Sequence, residues 1–151
     1  MSRGRWDAGA VRMFTRRGRV TADVGAGFVA GVAAALQIGL ASALTGAERG
    51  ATAPVRVELT FESEGGEHVI IVCRNHTVGF VPPSHEEDVR AQLAAAGRAH
   101  LETSGQIYRH GDGRRLWVGP PRAGGFPAPE PGADTLAPPQ RRIFGLALPN
   151  D

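Results

Sequence analysis

The run between Pro54 and Pro83 constrains the fold more than any other part of the chain. Val55, Val57, Leu59 and Phe61 alternate with Arg56, Glu58, Thr60 and Glu62. A period of two marks a strand with one face on a core and the other in water. Glu64-Gly65-Gly66-Glu67 comes next, and glycine takes positive φ without steric cost, so a turn is expected there. Val69-Ile70-Ile71-Val72 is apolar on both faces and predicts a buried central strand. Arg74-Asn75-His76 makes a second turn, and residues 77–81 form a third short strand closed by Pro82 and Pro83.

A helix should follow. Ser84 is the expected N-cap, with Glu87 at the capping-box spacing. Glu86, Glu87 and Asp88 then sit in the first turn, where the helix dipole favours acids; this explains the triplet better than a metal site does. Val89, Leu93 and Ala96 share one face, and Gly97 is a natural stop. Residues 100–108 alternate loosely, with Leu101 and Ile107 inward. Residues 109–114 read as a hairpin loop, and Leu116-Trp117-Val118 as its returning strand. The expected fold class is α+β: a mostly antiparallel, small barrel-like sheet with two helices, followed by a Pro-rich tail.

Residues 24–44, VGAGFVAGVAAALQIGLASAL, carry no charge and admit three readings. The favoured one is a helix packed on the sheet, because Phe28, Val32, Leu36, Leu40 and Leu44 recur every four residues, with Gln37 and Ser42 toward solvent. The second is a membrane span, which suits the length and the arginines before it. Only eight of its 21 residues are Val, Ile, Leu or Phe. Those supply roughly −2 to −5 kcal/mol of insertion free energy, which is marginal. The third is a dinucleotide-binding turn, since Gly25-Ala26-Gly27-Phe28-Val29-Ala30 matches the glycine spacing. That turn needs a buried strand before it and a βαβ unit around it, and neither is expected here.

Composition divides the chain. Eight of the 11 prolines follow Trp117, so the domain is expected over residues 20–119. A Pro/Gly-rich linker should span 120–142, and a short apolar tail segment 143–151. Residues 1–19 read as a basic flexible arm, and Met13 is a second possible start. Residues 1–22 hold six Arg and one Asp (+5), residues 23–119 eight Arg and eleven acids (−3), and residues 120–151 three of each. An acidic core argues against a long nucleic-acid footprint, which needs several phosphates neutralised. All 17 basic residues are arginine, the usage of a GC-rich genome of the actinobacterial kind.

No catalytic signature is present, and a non-enzymatic protein is expected. Cys73 is the one cysteine and reads as a packed, inert thiol. Cys73-x-x-His76 lacks a second ligand pair, so neither a metal nor any other cofactor is implied. Ser84-His85 has no elbow motif around it. The candidates for binding are the basic turns. Arg74, Asn75 and His76 occupy one, and Tyr108, Arg109, His110, Arg114 and Arg115 the other. If both turns face one end of the sheet, they form a positive, aromatic site for single-stranded nucleic acid. At the C-terminus, Ile143, Phe144, Leu146 and Leu148 make an apolar patch. It can fold back as an edge strand, which is slightly favoured, or dock on a protein partner.

The order of elements from residue 20 to residue 118 resembles a HIRAN domain. His76-Thr77-Val78-Gly79-Phe80-Val81-Pro82-Pro83 is similar to that family's run between a strand and its second helix, with Phe80 at the aromatic place. The family's usual Asn-Pro-x-Asp run before the central strand is replaced here by residues 62–69, ESEGGEHV. The resemblance implies a cytoplasmic module that grips single-stranded DNA ends. The alternatives are a membrane-anchored protein with its domain outside the cytoplasm, and a protein-interaction module using the tail.

Overall fold

The computed structural model describes residues 18–64, 68–134, 142–143 and 146–147. The strands are β1 (Arg19–Thr21), β2 (Phe28–Val29), β3 (Val55–Glu64), β4 (His68–Cys73), β5 (His76–Phe80), β6 (His100–His110) and β7 (Gly113–Val118). The helices are α1 (Gln37–Ala43), entered through a 3-10 turn at Ala34–Leu36, α2 (Gly46–Gly50) and α3 (Pro83–Ala96).

One curled sheet runs β2-β7-β6-β3-β4-β5. Every neighbouring pair in it is antiparallel. β1 adds to β6 in parallel, pairing with His100 to Glu102. The long β6 thus serves β3 along one edge, and β7 and then β1 along the other. The sheet curls into a half-barrel, and residues 30–31 bridge its open side. Ala30 N donates to Leu116 O at 2.9 Å, and Gly31 and Phe80 exchange both backbone hydrogen bonds at 2.9 Å. This is the α+β, barrel-like sheet that the alternation predicts.

The inward residues of β3 are Val57, Leu59 and Phe61. They meet Val69, Ile71 and Cys73 of β4, Leu101 and Ile107 of β6, and Leu116 and Val118 of β7 in one core. Fully burying each Leu or Phe contributes about 1.5–3 kcal/mol. α3 rests on β3, β4 and β6 with Val89 buried, while α1 lies against β5 and β7. In β4 the outward Ile70 and Val72 are only partly buried, so the strand has one core face rather than two.

The start of α3 differs from expectation. Its N-cap is Pro82, with no side-chain cap bond. Pro83 at the first helical position has a preset φ and lacks a donor that would be orphaned there anyway. The helix therefore begins two residues early, Ser84 is inside it, and its hydroxyl donates to Glu130 Oε1 at 2.5 Å instead.

Residues 24–44 are not one helix. Gly25 and Gly27 take φ of 61° and 102°, which breaks a helix, and the chain then runs extended through β2. Only Gln37–Ala43 is α-helical. The apolar set still turns inward: Phe28, Val32, Leu40 and Leu44 are buried, with Leu36 packed against them. Gln37 is not a solvent residue. Its amide donates to Arg114 O and accepts from Arg114 N, at 2.8 and 2.9 Å. The glycines at 25 and 27 lead into a strand rather than a helix, so no phosphate-binding turn forms. No helix among the described residues is long and apolar enough to cross a membrane.

Residues 120–134, which composition reads as the start of a linker, lie as a strap on the outer face of β6 and β7. Trp117 Nε1 donates to Pro120 O at 2.8 Å, Phe126 packs on Tyr108 and Trp117, and Ala133 is buried. Farther on, β8 (Arg142–Ile143) pairs with β9 (Leu146–Ala147) as a separate hairpin. Thus Ile143 and Leu146 pair with each other, while Phe144, Leu148 and the arm at 1–17 lie outside the described residues.

Candidate functional site

β3 is antiparallel to both β4 and β6, so the ends of β4 and β6 lie at one end of the sheet. That end holds both basic turns. The first is a two-residue loop, Arg74-Asn75, between paired Cys73 and His76, with φ of 50° and 70°. A tight hairpin of this hand needs positive φ at both positions, which suits asparagine and strains arginine. The second is Gly111-Asp112, between paired His110 and Gly113.

The arginines of these turns are aimed at α2. Arg74 Nη1 donates to Glu48 Oε1 at 2.6 Å and to Ala43 O at 2.9 Å. From the other turn, Arg109 donates to Arg49 O at 2.6 Å and Ala51 O at 3.3 Å, and Arg114 to Arg49 O at 3.2 Å. Guanidinium groups on the last carbonyls of a helix satisfy its orphan acceptors and oppose its negative end. Thr45 and Glu48 close the other end of α2 with a capping box. The Arg74 hydrogen bond, with help from the Thr45 backbone, pulls the Glu48 carboxyl down to about 2. The basic turns thus form a clasp on a short helix. His76 is half-buried on β5, and Asn75 and His110 are exposed.

Tyr108 and Arg115 stand opposite each other on β6 and β7, and both are buried. Phe126 of the strap stacks on Tyr108, centroid to centroid at 3.9 Å and 13° from parallel. Arg115 grips both carboxylate oxygens of Asp134, at 2.5 and 3.0 Å, and Ala30 O at 3.2 Å. Arg115 holds the Asp134 carboxyl below its ordinary range, and burial pushes the Tyr108 phenol up. The structure therefore splits the candidate residues. Arg74, Asn75, His76, Arg109, His110 and Arg114 gather at one sheet end, whereas Tyr108 and Arg115 lie on the outer face beneath the strap.

That outer face carries a groove of about 650 Å³ over β3. Arg56, Glu58, Thr60 and Glu62 form its floor, with Arg74 and Asn75 toward the turn and Arg19, His100 and Glu102 toward β1. Arg19 faces Glu102 at 3.6 Å, and Arg74 is held by Glu48. Arg56 is exposed and makes no ion pair or hydrogen bond with another described residue. The alternation in β3 marked these polar side chains only as a wet face. Nothing in sequence spacing says that β1 and the Arg74 turn raise walls beside them.

No comparison with protein-family models, curated proteins or solved structures returned a match.

Ser84 Oγ lies 3.0 Å from His85 Nδ1 but donates its proton to Glu130. A nucleophile would need that proton directed at the imidazole. Burial raises the Cys73 thiol, which disfavours the reactive thiolate. Among the described residues, no three His, Cys, Asp or Glu side chains converge as a metal would require.

Proposed function

We propose that this chain is a non-enzymatic, HIRAN-like binding module for the ends of single-stranded nucleic acid, with the groove over β3 as the strand's track. The observation that carries the reading is the Arg56 guanidinium, without a partner among the described residues, on the floor of a 650 Å³ groove that Arg19, Arg74 and His100 also line. An arginine fork fits a phosphate with two parallel hydrogen bonds. Glu58, Glu62 and Glu102 interrupt the positive charge, so the groove favours a short end with one or two phosphates over a long backbone.

Anisotropy of a labelled short single strand, at low and high salt, tests this. Binding should weaken as salt rises, because released counterions drive it. Arg56→Ala should lower affinity by roughly tenfold, the value of one charge-assisted hydrogen-bonded contact. Arg56 is the informative position, because substitutions at Arg109, Arg114 or Arg115 would also loosen α2 or the strap. Absence of salt-dependent binding would overturn the proposal, as would an Arg56→Ala protein that binds like the parent.

A further inference from the structure

The groove over β3 does not end at that strand. Arg56 is the cross-strand partner of Gln106 on β6, and Gln106 is the partner of Trp117 on β7. Tyr108 and Arg115 form the next row. One outer face therefore runs from the open groove to a patch that the strap covers.

The strap makes three kinds of contact there. The backbone of Arg122 pairs with the Gln106 amide in both directions, each bond 2.8 Å long. The Phe126 ring lies flat on Tyr108, and the Asp134 carboxylate sits in the fork of Arg115. With the strap in place, Gln106 is 4% exposed, and Tyr108 and Arg115 are each 9% exposed. Arg115 Nε is buried with no hydrogen-bond partner among the described residues, so the described part of the strap leaves that donor of the fork unused.

A donor–acceptor edge, a flat ring and an anion are what one nucleotide presents: base edge, base face and phosphate. We infer that residues 120–134 are an intramolecular occupant of a nucleotide site formed by Gln106, Tyr108 and Arg115, and that the phosphorylated end of a strand lying in the groove displaces them. The strap suits this role. It contains no helix or strand, and residues 120–125 are exposed. This inference rests on the groove reading and adds to it the terminal nucleotide and a device that withholds its site.

The test compares the full chain with the variant Phe126→Ala, Asp134→Asn. The probes are a labelled short thymidine strand with a terminal phosphate, the same strand without it, and free thymidine monophosphate. Freeing the strap raises the competent fraction, so the phosphorylated strand should bind about tenfold more tightly or better. The unphosphorylated strand, which offers the base but not the phosphate, should gain less. Gain for the free nucleotide as strong as for the strand would assign the site to nucleotides in solution. Gain confined to the strand would assign it to strand ends. A variant that unfolds cooperatively yet shows no gain overturns the strap inference, and an Arg56-dependent affinity in the parent would still leave the groove reading standing. If the double variant does not fold, Phe126→Ala alone, which keeps the Asp134 pair, should still show a gain of about threefold. No gain there overturns the inference equally.

Discussion

Two glycines show why a residue's cost depends on its surroundings. Gly31 has an ordinary φ, but a Cβ built on it would stand 2.1 Å from Ala133 O and 2.4 Å from the Phe80 ring. It sits where two backbone hydrogen bonds to Phe80 bridge the half-barrel and where the strap crosses. Gly25 has open space around it and a φ of 61°. Its substitution meets only backbone strain. Gly31→Ala should therefore destabilise by about 1–3 kcal/mol, as overpacked sites do. Gly25→Ala should cost about 1 kcal/mol, the price of a left-handed alanine. Urea unfolding of both variants checks the order. A Gly31→Ala protein no less stable than Gly25→Ala would mean that the 30–31 bridge does not hold the sheet closed.

At the scale of elements, the strap is the part that composition misread. Its prolines and glycines mark irregular backbone, and that much is right. They do not mark where Phe126, Ala133 and Asp134 go, because those partners lie far away in sequence. The same reason hides the clasp on α2. Arginines bound to backbone carbonyls of Ala43, Arg49 and Ala51 leave no pattern, since every residue offers a carbonyl. The strands were legible because burial of one sheet face writes a period of two into residues 55–61. In residues 24–44 the spacing of large apolar side chains was legible as core but not as helix, because glycine torsions decide the backbone there. The strap yields a prediction of its own. A chain ending at residue 119 removes Phe126 from Tyr108 and Asp134 from Arg115. Water then reaches the guanidinium, so the loss should be about 1–3 kcal/mol rather than that of a sealed charge. Thermal unfolding of chains ending at 119 and at 134 measures it. Equal midpoints would show that the strap contributes nothing to the domain.

For the whole molecule, two carboxylate latches on different sides of the half-barrel tie stability to acid. Glu48 joins α2 to the Arg74 turn, and Asp134 joins the strap to Arg115 and to the backbone of Val32. Arg74 and the Thr45 backbone lower the Glu48 pKa from 4.5 to about 2. The Arg115 hydrogen bond lowers Asp134 from its ordinary 3.8. A carboxyl whose folded pKa lies below its unfolded value binds fewer protons when folded. It contributes stability above the unfolded pKa and loses it as pH falls through the folded one. The urea midpoint, followed by circular dichroism, should therefore hold level down to about pH 4.5 and decline toward pH 2. Both latches are partly open to solvent, so the decline should shrink in high salt. In the variant Glu48→Gln, Asp134→Asn the neutral-pH midpoint should drop while the acid decline flattens, so that the two proteins converge at low pH. Parallel curves would show that other carboxyls carry the acid sensitivity and that these two latches act by shape alone.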